Sequence, residues 1–280
     1  MKLRYAVPTP LEYFATLVHS DEGFPLLEAA ASLAQDEYPH LDVQQVLGEV
    51  DQLQARLQRR LAPDAPALQR LHLLNRFFYS DLGFGGNVNH YYDPENSYLS
   101  TVLQTRRGIP VTLAVLWLEL AQGAGLQAQG VAFPGHFLVK VLLPDGQALL
   151  DPFTGHSLSR EELDERLESF LPRAQRSTNK EVSLGLYLQP AAPREILARM
   201  LRNLKEVHHA QQDWQRLLAV QERLVRLLPQ AWAEWRDRGL AHAECGHAAA
   251  AVTDLELYLA HADDEPDCTR IRERLALLRA

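Results

Sequence analysis

From Val111 to Ala121 the chain is apolar at almost every position, interrupted only by Thr112 and Glu119. A helix that is hydrophobic around its whole circumference has no face to give to water, so other elements must wrap it on all sides. Gly108 ends the preceding segment. Pro110 suits a first helical position, where the missing N–H costs nothing and φ is already set. Any fold for this chain is therefore built around a central helix whose N-terminal mouth lies at Ile109-Pro110.

The stretch after that helix reads as a small sheet. Val131 to Phe133 and Phe137 to Leu143 have strand character, and Pro144-Asp145-Gly146 is a turn signal before the short run Ala148-Leu149-Leu150. A two-residue turn at Asp145-Gly146 puts His136 and Asp151 on one face, offset by about four positions, so that twist or a bulge must bring them together. The stretch before the central helix is itself helical. Leu11 to Val18, Leu26 to Gln35, Val43 to Leu61 and Ala67 to Tyr79 carry apolar residues at three- and four-residue intervals, broken by Pro25, Pro39 and Ala62-Pro63-Asp64-Ala65-Pro66. Asp81 to Asn89 reads as a glycine-bearing loop, and Asn96 or Ser97 as the cap of a short helix.

The helix mouth is also where acyl-transfer chemistry would sit. A thiol works best at a helix N-terminus, where unpaired N–H groups favour the thiolate, beside a histidine that a carboxylate orients. His136, preceded by Pro134-Gly135, and Asp151 are the candidate base and orienting carboxylate, but Pro110 stands at the mouth and carries no nucleophile. Thr112 is the nearest hydroxyl and Ser97 a more remote one. A purely structural role is equally open: His136 as a hydrogen-bonding residue at a strand end, and Asp151 as a cross-hairpin partner of Lys140.

Several longer motifs carry a resemblance. Asn87, Tyr92-Asp93-Pro94-Glu95-Asn96-Ser97-Tyr98-Leu99, Arg107-Gly108-Ile109-Pro110, Phe133-Pro134-Gly135-His136-Phe137 and Asp151-Pro152-Phe153 resemble the SirB-type proteins, which join a transglutaminase-like domain, a relative of the papain core, to tetratricopeptide repeats. The resemblance covers nearly the whole chain. It implies that the nucleophilic cysteine of the wider superfamily would fall at Pro110, with His136 and Asp151 matching the other two triad members, so that the triad here is degenerate.

The C-terminal third changes periodicity. After a helix from Ser159 to Phe170, Leu171 to Pro193 is polar and irregular apart from Leu184 to Leu188 and reads as a junction. Ile196 to His209 and Trp214 to Leu228 then form one helical pair, Ala231 to Glu244 and Ala248 to His261 the next, spaced 34 residues apart, with Thr269 to Arg279 as a capping helix. Gly239 and Ala251 occupy positions where such helices pack closely. The expected class is α+β: a papain/transglutaminase-like domain (1–180) with a helical N-terminal part and a small antiparallel sheet, a linker (181–193), and an all-α tetratricopeptide-repeat solenoid (194–280).

Other signals are weaker. Gly83, Gly85 and Gly86 lack the lysine and preceding strand of a phosphate loop, so a tight turn that packs Phe84, Tyr91 and Tyr92 is the better reading. His242, Cys245 and His247 lack a fourth metal ligand, so no metal is expected. Trp214, Trp232 and Trp235 suit packing between repeat helices. A net charge of −8 and a pI near 5.8 argue against nucleic acid as a partner, and the basic runs Arg56 to Arg60 and Arg106-Arg107 read as a solvated face and a structural pair. No apolar run is long enough to span a membrane, Met1 to Pro10 lacks a signal-peptide pattern, and two cysteines make no disulfide framework, so a cytoplasmic protein with reduced thiols is expected. No cofactor is implied and oligomeric state is left open. The function these features imply is binding of a protein or peptide partner through the repeats, beside a degenerate pocket. The alternative is a hydrolase or acyl transferase using His136 and Asp151 with water or a non-cysteine nucleophile.

Overall fold

The computed structural model describes residues 8–170, 180–262 and 265–279. Thirteen α-helices and five short strands lie among these residues, the helical majority and small sheets expected of a transglutaminase-like domain followed by repeats. They group into two compact units that do not follow chain order. One comprises Met1–Pro25, Gln35–His40 and Leu197–Ala280; the other comprises Leu26–Ala34 and Leu41–Ile196.

In the second unit, helices α2 (Leu26–Ser32), α3 (Val43–Gln58), α4 (Ala67–Asn75) and α5 (Leu99–Thr105) precede the central helix α6 (Pro110–Gly123). α6 buries ten of its residues from Pro110 to Ala121, as its all-round apolarity requires. α3 packs on one side of it and strands β3 (Gln127–Val131) and β4 (Leu138–Leu143) on another. With β5 (Gly146–Leu150) these form an antiparallel meander in the order β3-β4-β5. Val131, Leu138 and Leu149 pack on α7 (Arg160–Phe170) and α8 (Lys180–Tyr187) through Leu163, Leu167 and Leu184. A capping box between Ser159 and Glu162 starts α7.

Several local expectations need correction. The helix expected to run to Tyr79 passes at Arg76–Asp81 into a π-helical turn, which lets Phe77 and Phe78 bury together and stacks Phe78 on Phe84 with centroids 4.5 Å apart. The glycine loop is not only a turn, because Gly85–Gly86 forms strand β1, parallel to β2 (Arg107–Gly108). Phe84 is buried there, but Tyr91 and Tyr92 are exposed. Neither Asn96 nor Ser97 caps α5: both lie in the 3₁₀ turn Pro94–Ser97, which Asp93 caps. The stretch expected to be irregular contains α8, while 171–179 lie outside the described residues.

In the first unit, helices α9 (Pro193–Ala210), α10 (Trp214–Leu227), α11 (Trp232–Glu244), α12 (Ala248–His261) and α13 (Cys268–Arg279) follow one another, α10 packing on α11, α11 on α12 and α12 on α13, with α9 beginning just ahead of the unit's edge at Leu197. Close packing requires Gly239, where a Cβ would come within 2.9 Å of Leu255. Helix α1 (Pro10–Leu17), held by a Thr9–Glu12 capping box, belongs to this unit and packs on α10. Arg223, nearly fully buried, fixes the arrangement by stacking over Phe14 and bonding both Asp36 carboxylate oxygens at 2.6 and 2.7 Å.

Candidate functional site

The helix mouth and the sheet are tied together through main-chain hydrogen bonds. Gly85 N–H donates to Arg106 O, and Asn87 N–H to Gly108 O, so β1 runs alongside the entry to α6. From the other side Gly86 N–H donates to Phe153 O at 2.8 Å. A Cβ on Gly86 would lie 2.2 Å from the Phe153 ring, which explains the glycine at this close approach. Asn96 braces the same region: its amide donates to the carbonyls of His90 and Tyr91, its Oδ1 accepts from Asn87, and its own carbonyl accepts from Ile109 N–H. The Arg106-Arg107 pair is structural, with Arg106 over the Phe84 ring and Arg107 donating to Gly83 O.

Asp151 comes directly after β5. The hairpin turn falls at Pro144-Asp145, with Gly146 already paired to Leu143, one residue earlier than the sequence suggests. That shift moves the register by two and preserves facing, so Asp151 falls opposite Leu138 and His136 is offset from it by two positions rather than four. The remaining gap is closed by a tight turn, Phe133-Pro134-Gly135-His136, with His136 N–H donating to Phe133 O and Gly135 at φ +69°. The outcome is a direct hydrogen bond, His136 Nε2 to Asp151 Oδ1 at 2.8 Å.

Asp151 is 3% exposed. Burial alone would raise its pKa, but the hydrogen bond and charge of His136, the Phe153 N–H at 2.9 Å and the nearby Arg166 hold it below the ordinary carboxylate value. Arg166, on α7, places two guanidinium nitrogens 3.4 Å from Oδ2. The carboxylate is thus ionised and accepts from Nε2, which fixes the tautomer. Nδ1, the other ring nitrogen, makes no hydrogen bond among the described residues. Tyr79 completes the surround, its hydroxyl donating to Pro152 O at 3.2 Å. Burial first, and then the Asp151 charge, push its phenol pKa up, so it stays protonated.

Among the described residues no hydrogen bond joins the other candidates to this dyad. Pro110 is the first residue of α6 and is buried. Thr112 is fully buried and its Oγ1 has no hydrogen-bond partner, so no base contacts it. Ser97 is buried in its 3₁₀ turn. Lys140 does not pair with Asp151: its ammonium donates to Leu188 O at 2.9 Å. His242 and His247 face each other through Nδ1 atoms 3.3 Å apart, and among the described residues no group of three side chains is arranged to hold a metal ion. Among the described residues no helix is long and apolar enough to cross a membrane. Arg166 and Tyr79 had no sequence signal, since each reads as an ordinary position on a helix.

The repeat unit contains a separate cavity of 660 Å³ whose lining includes Lys205, Trp214, Gln221 and Arg236. Its charges are partly tied together. Lys205 bonds Glu234 at 2.9 Å and Asp237 at 2.5 Å, and Arg236 bonds Asp237 at 2.7 Å and Asp267 at 2.8 Å. Trp214 and Trp232 are partly buried against the repeat core, as expected, and Trp235 donates its indole N–H to Pro229 O.

Two protein-family models agree with this architecture. Residues 44–202 match the transglutaminase-like superfamily and residues 204–276 match the tetratricopeptide repeat. A UPF0162 protein of Xylella fastidiosa strain Temecula1 is 38% identical over 240 residues, 85% of this chain and 84% of its own length. A UPF0162 protein of Pseudomonas aeruginosa is 33% identical over 90% of each chain. Among solved structures, menin aligns over 99% of this chain and 84% of its own with a TM-score of 0.42 and 11% identity.

Proposed function

We propose, for a chain that belongs to the UPF0162 proteins and whose residues 44–202 belong to the transglutaminase-like superfamily, a binding or regulatory role without acyl-transfer chemistry. In this reading it is a SirB-type protein whose nucleophile position is Pro110, whose pocket keeps His136 and Asp151, and whose repeats hold a protein or peptide partner. The single observation that carries it is Pro110 at the first position of α6, the place where thiol chemistry needs a cysteine. Both cysteines of the chain, Cys245 and Cys268, belong to the repeat region. Tetratricopeptide repeats generally mediate protein–protein contacts, and the cavity lined from α9, α10, α11 and α13 supplies a concave surface for one.

A second reading is favoured by the dyad itself. Asp151 is held ionised and orients the His136 ring through Nε2, leaving Nδ1 without a hydrogen bond, which is the geometry a general base acting on water requires. The two readings separate in one affinity-capture experiment on the full chain. Binding through the repeats predicts that His136→Ala retains the partner captured by the wild type, and that a Glu206→Lys/Glu265→Lys variant at the cavity loses it. Loss with His136→Ala and retention by the cavity variant would move the function to the dyad.

A further inference from the structure

The repeat cavity has an unbalanced lining. Lys205, Arg236 and Arg270 stand against five carboxylates, a net charge of −2 with histidine neutral. The carboxylates are not equivalent. Asp237 and Asp267 are already bonded by Lys205 and Arg236, and Glu244 by Arg274, whereas Glu206, Glu265 and the cation Arg270 have no ion pair among the described residues. Both glutamates are exposed at the lining. A second observation points the same way. Gln221 lines the cavity, is 1% exposed, and its Oε1 has no hydrogen-bond partner. A buried amide oxygen without a donor is destabilising, and an N–H brought to it from the cavity removes the penalty. Trp214, held edge-on to His209 with centroids 5.8 Å apart, adds a ring on which a cation can rest.

Glu206, Glu265, the Gln221 Oε1 and the Trp214 ring ask for a donor or a positive charge, and they outnumber Arg270, a lining cation with no ion pair among the described residues. Resting on the proposed repeat-mediated binding, we infer that the cavity takes an extended basic segment of a partner protein, with an arginine or lysine side chain entering beside Glu206 and Glu265. Leu217 and Leu240 offer apolar wall to the side-chain stem, and Gln221 Oε1 accepts from the head group or from a peptide N–H.

The test is fluorescence anisotropy on the full-length chain with three labelled peptides, Gly-Ala-Arg-Ala-Arg-Ala-Gly and its glutamate and glutamine counterparts. The arginine peptide should bind saturably, at least about tenfold more tightly than the glutamine peptide, and should weaken as salt rises. Glu206→Gln/Glu265→Gln should weaken it by about tenfold, while Glu256→Gln, at a residue that does not line the cavity, should not change it. Because both cavity substitutions are at exposed positions, the variant should melt with the wild type. Absence of saturable arginine-peptide binding, or binding indifferent to the Glu206/Glu265 pair, would overturn the inference. Preference for the glutamate peptide would overturn the assigned charge yet leave repeat-mediated binding standing, since partner capture in the cell reads that separately.

Discussion

The dyad region and the repeat cavity both concentrate charge, and they differ in what they leave open. Around Asp151 the valences are closed: Oδ1 accepts from His136 and Phe153, Oδ2 faces Arg166, and the main chain on either side is stitched to β1 and the 151–156 loop. Around the cavity two glutamates, one arginine (Arg270) and a buried amide oxygen are left without partners among the described residues. A closed network specifies a shape, while an open one specifies a ligand. The contrast supports a protein in which the transglutaminase-like pocket persists as architecture and the repeats carry the interaction.

Substitutions put this contrast at risk, and the largest effect is expected at Asp151. Asp151→Ala strips the acceptor from Phe153 N–H, His136 and Arg166 in a nearly solvent-free setting, and should cost about 3 kcal/mol, read from chemical denaturation. The same site sets an acid limb. Because the folded-state pKa of Asp151 lies below its unfolded value, its contribution is fully present above the unfolded carboxylate pKa of about 3.9 and is lost as pH falls through the depressed folded value. Asp151→Asn should therefore flatten stability against pH in that acid range and leave neutral-to-basic behaviour parallel to wild type.

Next comes Gly86→Ala. The added Cβ must displace the Phe153 ring, so a loss of about 1–3 kcal/mol is expected by thermal melting. His136→Ala should cost less, about 1 kcal/mol, since one partly exposed hydrogen bond is lost and Asp151 keeps its other donors. Smallest of all is Glu206→Gln/Glu265→Gln, within about 0.5 kcal/mol of wild type in stability. A dyad variant that left stability untouched, or a cavity variant that collapsed it, would reverse the closed and open assignments.

Sequence patterning made part of this legible for a definite reason. The apolar run after Pro110 could only be a buried helix, and the Pro134-Gly135 and Asp145-Gly146 signals placed His136 and Asp151 on one face even though the turn fell one residue earlier. Parity survives an even register shift. The features that stayed hidden depend on partners distant in sequence. The π-helical turn at Arg76–Asp81 arises from packing Phe77, Phe78 and Phe84, and Arg166 reaches Asp151 only because α7 lies on the sheet face that the register selects. Helix α8 was masked by the polar, proline-bearing composition around it. The cavity is assembled from single residues on several helices, so no local motif announces it.

Whether His136 and Asp151 preserve a shape without running a reaction is decided by turnover. Wild type and His136→Ala should be compared at equal concentration on a panel of ester, amide and amine-acceptor substrates, with folding of both verified. A dyad kept only as architecture gives identical rates, indistinguishable from buffer. Turnover by the wild type that His136→Ala abolishes would contradict it.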